Sequence, residues 1–117
     1  MKLPRHDEAI VPQAKIVAYL LNLAHPVGRS KAVFFLKFGF TLEAWDTMAK
    51  ALLQHAGEHD VTKVENNEEG KRYVIEGVLH TPDRRDPFVR SVWFVEKNEK
   101  RPQFVTAYPV KKRPVND

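Results

Sequence analysis

Cysteine is absent from this chain of 117 residues. Its absence excludes disulfides, a thiol nucleophile and thiolate metal sites, and it fits a reducing compartment. No apolar h-region follows the basic residues of the N-terminus, so no secretory signal is read. No apolar run approaches the roughly 20 residues of a membrane-spanning helix. The expected location is therefore cytoplasmic, with no membrane partner. Internal repeats and low-complexity segments are also lacking. His55 and His59 stand four apart but straddle Gly57 with no third ligand nearby, so neither a metal nor another cofactor is expected. Gly28-Arg29-Ser30-Lys31 lacks the full glycine spacing of a phosphate loop, and no strand precedes it.

What is present fits one globular domain over residues 1–117, with a core from about 14 to 110 and a basic tail at 111–117. Hydrophobic residues make up 43% of the chain, and seven Phe, three Tyr and two Trp can fill a core. Nineteen basic residues face 15 acidic ones, a formal charge of +4. The excess is uneven. Arg101 to Arg113 carries four cations and no acid, whereas acids gather at 58–60 and 65–69. A basic half attracts polyanions.

Met1–Val11 reads as a lead-in that either pairs as a short edge segment or stays loose. Helical spacing follows: Ile16, Tyr19, Leu20 and Leu23 share a face, and Ala24-His25-Pro26 stops the helix. A second helix starts near Ser30 and stops at Gly39. Thr41 caps a third, whose face is Leu42, Trp45, Met48, Ala49, Leu52 and Leu53, with Gly57 closing it. Phe34, Phe35, Phe38 and Phe40 read as a core knot. After Asp60 the period changes to two. Strands are expected at 61–64, 72–81, 88–95 and 103–108, joined by short polar turns as an antiparallel meander. The predicted fold is α+β: N-terminal helices packed on one face of a roughly four-stranded antiparallel sheet, the other face free to work.

Two segments carry candidate chemistry. His25-Pro26-Val27-Gly28-Arg29-Ser30-Lys31 places an imidazole and two cations around a helix start, where backbone N–H groups favour anions. The imidazole titrates near neutrality. Phe104-Val105-Thr106-Ala107-Tyr108-Pro109 alternates like a strand. With Val105 and Ala107 inward, Thr106 and Tyr108 share the outer face with Phe104 and offer two hydroxyls to a phosphate. Arg90 sits inside an apolar strand and needs a partner, either Glu76 on the neighbouring strand or a bound phosphate. Trp93 is assigned to the core. Arg29, Arg84, Arg85, Lys111 and Lys112 are the further RNA-binding candidates.

The ordered set of Tyr19-Leu20-Leu21, His25-Pro26-x-Gly28-Arg29-x-Lys31-Ala32, Gly39-Phe40, Val89-Arg90-Ser91-Val92-Trp93 and Phe104–Pro109 resembles small bacterial domains of unknown function. It is similar to C-terminal toxin domains of contact-dependent inhibition systems, within the ribonuclease-toxin superfamily of barnase, EndoU, colicin and RelE-like folds. The resemblance spans about residues 14–109. It implies helices followed by a four-stranded antiparallel sheet and metal-independent RNA cleavage, often of tRNA. Carried over by position, it puts the catalytic imidazole on His25, the helix cation on Lys31 or Arg29, the strand arginine on Arg90 and the strand hydroxyls on Thr106 and Tyr108. Asp83-Arg84-Arg85-Asp86 stands where a glycine-containing turn is expected. Without a long secretion scaffold, the expectation shifts from a delivered toxin toward a toxin–antitoxin module or a domesticated relative, with an acidic antitoxin or immunity protein as partner.

The expected reaction is attack by the RNA's own 2′-hydroxyl on the adjacent phosphorus. His25 would serve as base or acid, Lys31, Arg29 and Arg90 would hold the phosphate, and Thr106 and Tyr108 would position it. The alternatives are a non-catalytic RNA- or protein-binding module of the same fold and a structural interaction domain.

Overall fold

The computed structural model describes residues 1–111. Helices come first and strands after: α1 (Gln13–Lys15), running into a wide turn at Ile16–Leu20, α2 (Arg29–Lys37) and α3 (Trp45–Glu58). Then follow β1 (Val61–Asn67), β2 (Gly70–Val78), β3 (Phe88–Glu96) and β4 (Gln103–Pro109). The strands form one antiparallel sheet in the order β1-β2-β3-β4. Short polar connections permit no other pairing between successive strands.

One sheet face meets the helices. Tyr73, Ile75, Val89, Ser91, Trp93, Phe104 and Ala107 are buried there. They pack against Ile16, Leu20, Phe35, Met48 and Leu52 from the helical layer. The opposite face presents Arg72, Val74 and Glu76 from β2, Arg90 and Val92 from β3, and Thr106 and Tyr108 from β4, as strand alternation dictates.

Three local departures from the sequence expectation have physical causes. The first helix ends at Leu20 and does not continue to Leu23, which is exposed. Its last turn is π-helical, the Leu21 N–H reaching the Ile16 carbonyl at 2.9 Å. Phe104 does not share a face with Thr106. Val92 pairs with Thr106 and Trp93 with Phe104, so Val105 is an extra, bulged residue. The bulge sends Phe104 and Ala107 to the same core, where Phe104 meets Trp93 edge-on at 5.4 Å. Thr41 does accept the Ala44 N–H at 3.1 Å, but helix α3 begins only at Trp45 and leaves Leu42 exposed.

The lead-in is tied down. Leu3 is buried, Ile10 pairs in parallel with Gln103, and the Val61 N–H donates to the Met1 carbonyl at 2.7 Å. Of the aromatic run, Phe35 and Phe40 are fully buried against each other, and Phe34 packs on Phe35 from the rim. Gly39 takes φ = 100° just beyond α2, a left-handed value that only glycine adopts freely, and so ends the helix.

Candidate functional site

Helix α2 starts where it does because His25 holds its first turn. The Nδ1 atom accepts the N–H groups of Val27 at 3.0 Å and Gly28 at 2.9 Å, and the His25 carbonyl accepts the N–H of Arg29. Ser30, the expected cap, is one residue inside the helix. With Nδ1 occupied as acceptor, the ring proton resides on Nε2, and His25 meets a substrate as a hydrogen-bond donor.

The His25 ring stands edge-on to Tyr19 at 5.1 Å. Gly28 permits this closeness, since a Cβ there would lie 2.6 Å from the Tyr19 carbonyl oxygen and 2.9 Å from its ring. The Tyr19 hydroxyl and the Thr106 hydroxyl share a hydrogen bond of 2.9 Å at the β4 edge. The Lys31 ammonium lies 5.2 Å from the centre of the Tyr19 ring and 5.9 Å from that of Tyr108. Lys15 approaches Tyr19 at 5.7 Å. Partial burial pushes the Tyr19 phenol up. Lys31, the Thr106 hydroxyl and Lys15 more than offset that, and the phenol ends below the ordinary tyrosine value.

On the other side of Tyr108 stands Arg90, pairing across the strands with it and with Glu76. Its Nε donates to Glu76 Oε2 at 2.7 Å, and its Nη2 pairs with the same oxygen. Its Nη1 donates to the Tyr108 hydroxyl at 3.3 Å. Tyr108 and Glu76 together raise the guanidinium above its already high value, fixing the charge. Glu76 thus binds through one oxygen, and Oε1 has no hydrogen-bond partner among the described residues. An open groove of about 860 Å³ runs from this cluster across the sheet, lined by Thr62, Lys63, Arg72, Glu76, Phe88 and Arg90 among others.

His25, Lys31 and Thr106 therefore meet at Tyr19, and Lys31 connects them to Tyr108 and Arg90 beside the same sheet edge. The other cationic candidates stand differently. Arg29 donates to the Leu23 carbonyl at 3.2 Å and is exposed beside His25. Arg85 is pinned elsewhere: its Nε meets Asp83 at 2.6 Å, its Nη2 the Lys37 carbonyl at 2.7 Å, and its guanidinium covers Phe38. That places it at the opposite end of α2 from His25. Arg84 is exposed on the same turn, Lys111 is exposed after β4, and Lys112 lies outside the described residues.

His55 and His59 do not face solvent as a ligand pair. His55 is 1% exposed and donates from Nε2 to the carbonyls of Gly77 and Val89 at 3.0 and 3.1 Å, while Nδ1 takes the Ser91 hydroxyl at 2.9 Å. His59 meets the Val78 carbonyl. Among the described residues no three His, Asp or Glu side chains gather as a metal site would require.

Sequence reasoning assigned Tyr19 to the core face and treated Glu76 only as an ion-pair partner. Tyr19 carries a signal, since a phenol preceding His25-Pro26 by six residues must lie near that turn. It reaches β4 from within the π-turn, which no residue pattern announces.

The model of a domain of unknown function, DUF6883, matches residues 2–111. The chain belongs to this family. No curated protein matches it in sequence. Among solved structures it is similar to a chain of a contact-dependent growth inhibition toxin–immunity protein complex from Klebsiella pneumoniae 342. The TM-score is 0.68 at 16% identity, over 87% of this chain and 100% of that one. The likeness establishes a shared α+β fold. Among the described residues no helix is long and apolar enough to cross a membrane.

Proposed function

We propose that this domain is the toxin of a toxin–immunity pair and that it cleaves RNA by transesterification, with the RNA 2′-hydroxyl as nucleophile. The observation that carries the proposal is the meeting of Lys31, Arg90, Thr106, Tyr108 and His25 at one edge of an open sheet face. The fold neighbour supports it, since that protein comes from a toxin–immunity complex. Of the two kinds of protein in such a complex, a cationic, hydroxyl-rich face suits the one that acts on a polyanion. A cytoplasmic RNA, tRNA among them, is the substrate, and an acidic protein is the fitting inhibitor.

Lys31 and Arg90 flank Tyr108 and can share a phosphate between an ammonium and a guanidinium. Thr106 and Tyr108 orient its non-bridging oxygens, and His25 adds the Nε2–H. The open Oε1 of Glu76 is placed to take the proton of the 2′-hydroxyl as the O2′–P bond forms. The developing phosphorane charge is met by cations already in position, usually the largest contribution to such catalysis.

The test is incubation of purified protein with total tRNA and with short single-stranded RNA, in EDTA. Products ending in 2′,3′-cyclic phosphate are expected, with Lys31→Met and Arg90→Met losing on the order of 10²-fold or more in rate. A second reading has its own observation, the Glu76–Arg90 pair, which already engages the guanidinium through Nε and Nη2. Tight RNA binding without any cleavage would decide for a binding module and against a nuclease.

A further inference from the structure

We infer that Tyr19 is the general acid of this site, donating its phenolic proton to the departing 5′-oxygen of RNA. The inference rests on the ribonuclease proposal and supplies the group that proposal leaves open. Collapse of the phosphorane breaks the P–O5′ bond, and the alkoxide that leaves is a strong base needing a proton. His25 cannot give one readily from a neutral ring whose Nδ1 is bound by two backbone N–H groups.

Tyr19 has the required surroundings. Its hydroxyl sits on Thr106 at the β4 edge, next to the proposed phosphate position between Lys31 and Arg90. Giving up its proton makes a phenolate, and the nearby charges are Lys31 and Lys15, both cations. Neither has a carboxylate partner among the ion pairs of the described residues. The same two cations, with the Thr106 hydroxyl, hold the phenol below the ordinary tyrosine value. Every neighbour also holds the ring in place. The π-turn carries it, the bare backbone of Gly28 lies against it, and His25 meets its face edge-on. A π-turn within a helix is often found at a functional residue.

The step balances. The 2′-oxygen gives its proton to Glu76 as O2′–P forms, and O5′ takes the Tyr19 proton as P–O5′ breaks. The products are a 2′,3′-cyclic phosphate, a free 5′-hydroxyl, a carboxylic acid and a phenolate. Proton exchange with water then restores both groups.

The decisive experiment compares Tyr19→Phe with the unaltered protein on two versions of one RNA. One has the ordinary 5′-oxygen at the scissile linkage and the other a bridging 5′-sulfur, whose thiolate departs without an acid. On ordinary RNA the variant should be slower by about 10²-fold or more, and on the sulfur-bridged RNA by less than about threefold. Equal losses on both substrates, in a variant with an unchanged melting temperature, would make Tyr19 a positioning residue and overturn the inference. Ultraviolet titration gives a second readout that needs no activity. A tyrosinate step below the free-tyrosine range should be present in the unaltered protein and absent from Tyr19→Phe, and its presence in both would overturn the inference as well. If the unaltered protein cleaves neither RNA, the ribonuclease proposal itself has failed and the role of Tyr19 falls with it.

Discussion

A buried imidazole and a half-buried one show how much a single residue's surroundings decide. His25 and His55 are the same side chain, and the sequence singled out His25 for chemistry while finding no third ligand beside His55. His55 is enclosed between α3, β2 and β3, and burial drives its pKa from 6.5 to about 4 despite two carbonyl acceptors. Ser91 bridges it to the Trp93 indole N–H at 2.9 Å, so one imidazole satisfies a buried hydroxyl and stabilises the core tryptophan. The folded state therefore binds a proton at His55 less readily than the unfolded chain. Between pH 6.5 and 4 the unfolded state holds the extra proton, and stability must fall as pH falls through that window. The contribution is fully present above pH 6.5 and amounts to about 3 kcal/mol. Glu58, Asp83 and Asp86 have lowered pKa values and lose their own contribution in a more acidic range. His80, raised by Asp86 and Glu58, has the opposite sign but stands exposed. Urea denaturation at pH 7.5, 5.5 and 4.5 should show the decline, and His55→Gln should flatten it. A stability independent of pH over that range would contradict the assignment of His55 as a neutral core group.

The elements were legible in the chain to the extent that side-chain period controls them. The change from period 3.6 to period 2 after Asp60 placed all four strands, because alternation such as Val89-Ser91-Trp93 sets one face against the helices. Backbone irregularities have no such signature. The π-turn at Ile16–Leu20 and the bulge at Val105 each add or widen by one residue. Ironically for a simple alternation rule, the bulge is what lets Phe104 be core while Thr106 and Tyr108 remain outside. Deleting Val105 forces a choice between them. Either Phe104 leaves Trp93, at a cost on the order of 3–5 kcal/mol, or Thr106 and Tyr108 turn inward. The variant should lose either most of its thermal stability or all contact between Thr106 and Tyr19, and RNA cleavage in both cases. Retention of both native melting and native cleavage would show that β4 does not depend on its bulge.

Across the whole molecule, the cations behind the excess of +4 are not equivalent. Arg5, Arg72, Arg85 and Arg90 each have a carboxylate partner, as do Lys2 and Lys63. Lys15, Arg29 and Lys31 have none among the described residues. These three belong to α1 and α2, beside Tyr19 and His25 at the β4 edge. Three cations without an ion-pair partner thus stand on the side of the sheet where the proposed chemistry lies, and a polyanion arriving there displaces its own counterions. Affinity for a short single-stranded RNA should fall linearly with the logarithm of salt concentration, by about 0.7 for each phosphate contacted. Lys31→Met should reduce that slope by about one contact, because Lys31 is proposed to touch phosphate directly. Arg85→Met should leave it unchanged, because Asp83 and the Lys37 carbonyl already hold that guanidinium at the far end of α2. Fluorescence anisotropy on the Glu76→Gln protein, at several salt concentrations, makes the measurement without interference from cleavage. A slope that responds to Arg85 and not to Lys31 would move the RNA path to the other end of the helix and leave the β4 edge without a ligand.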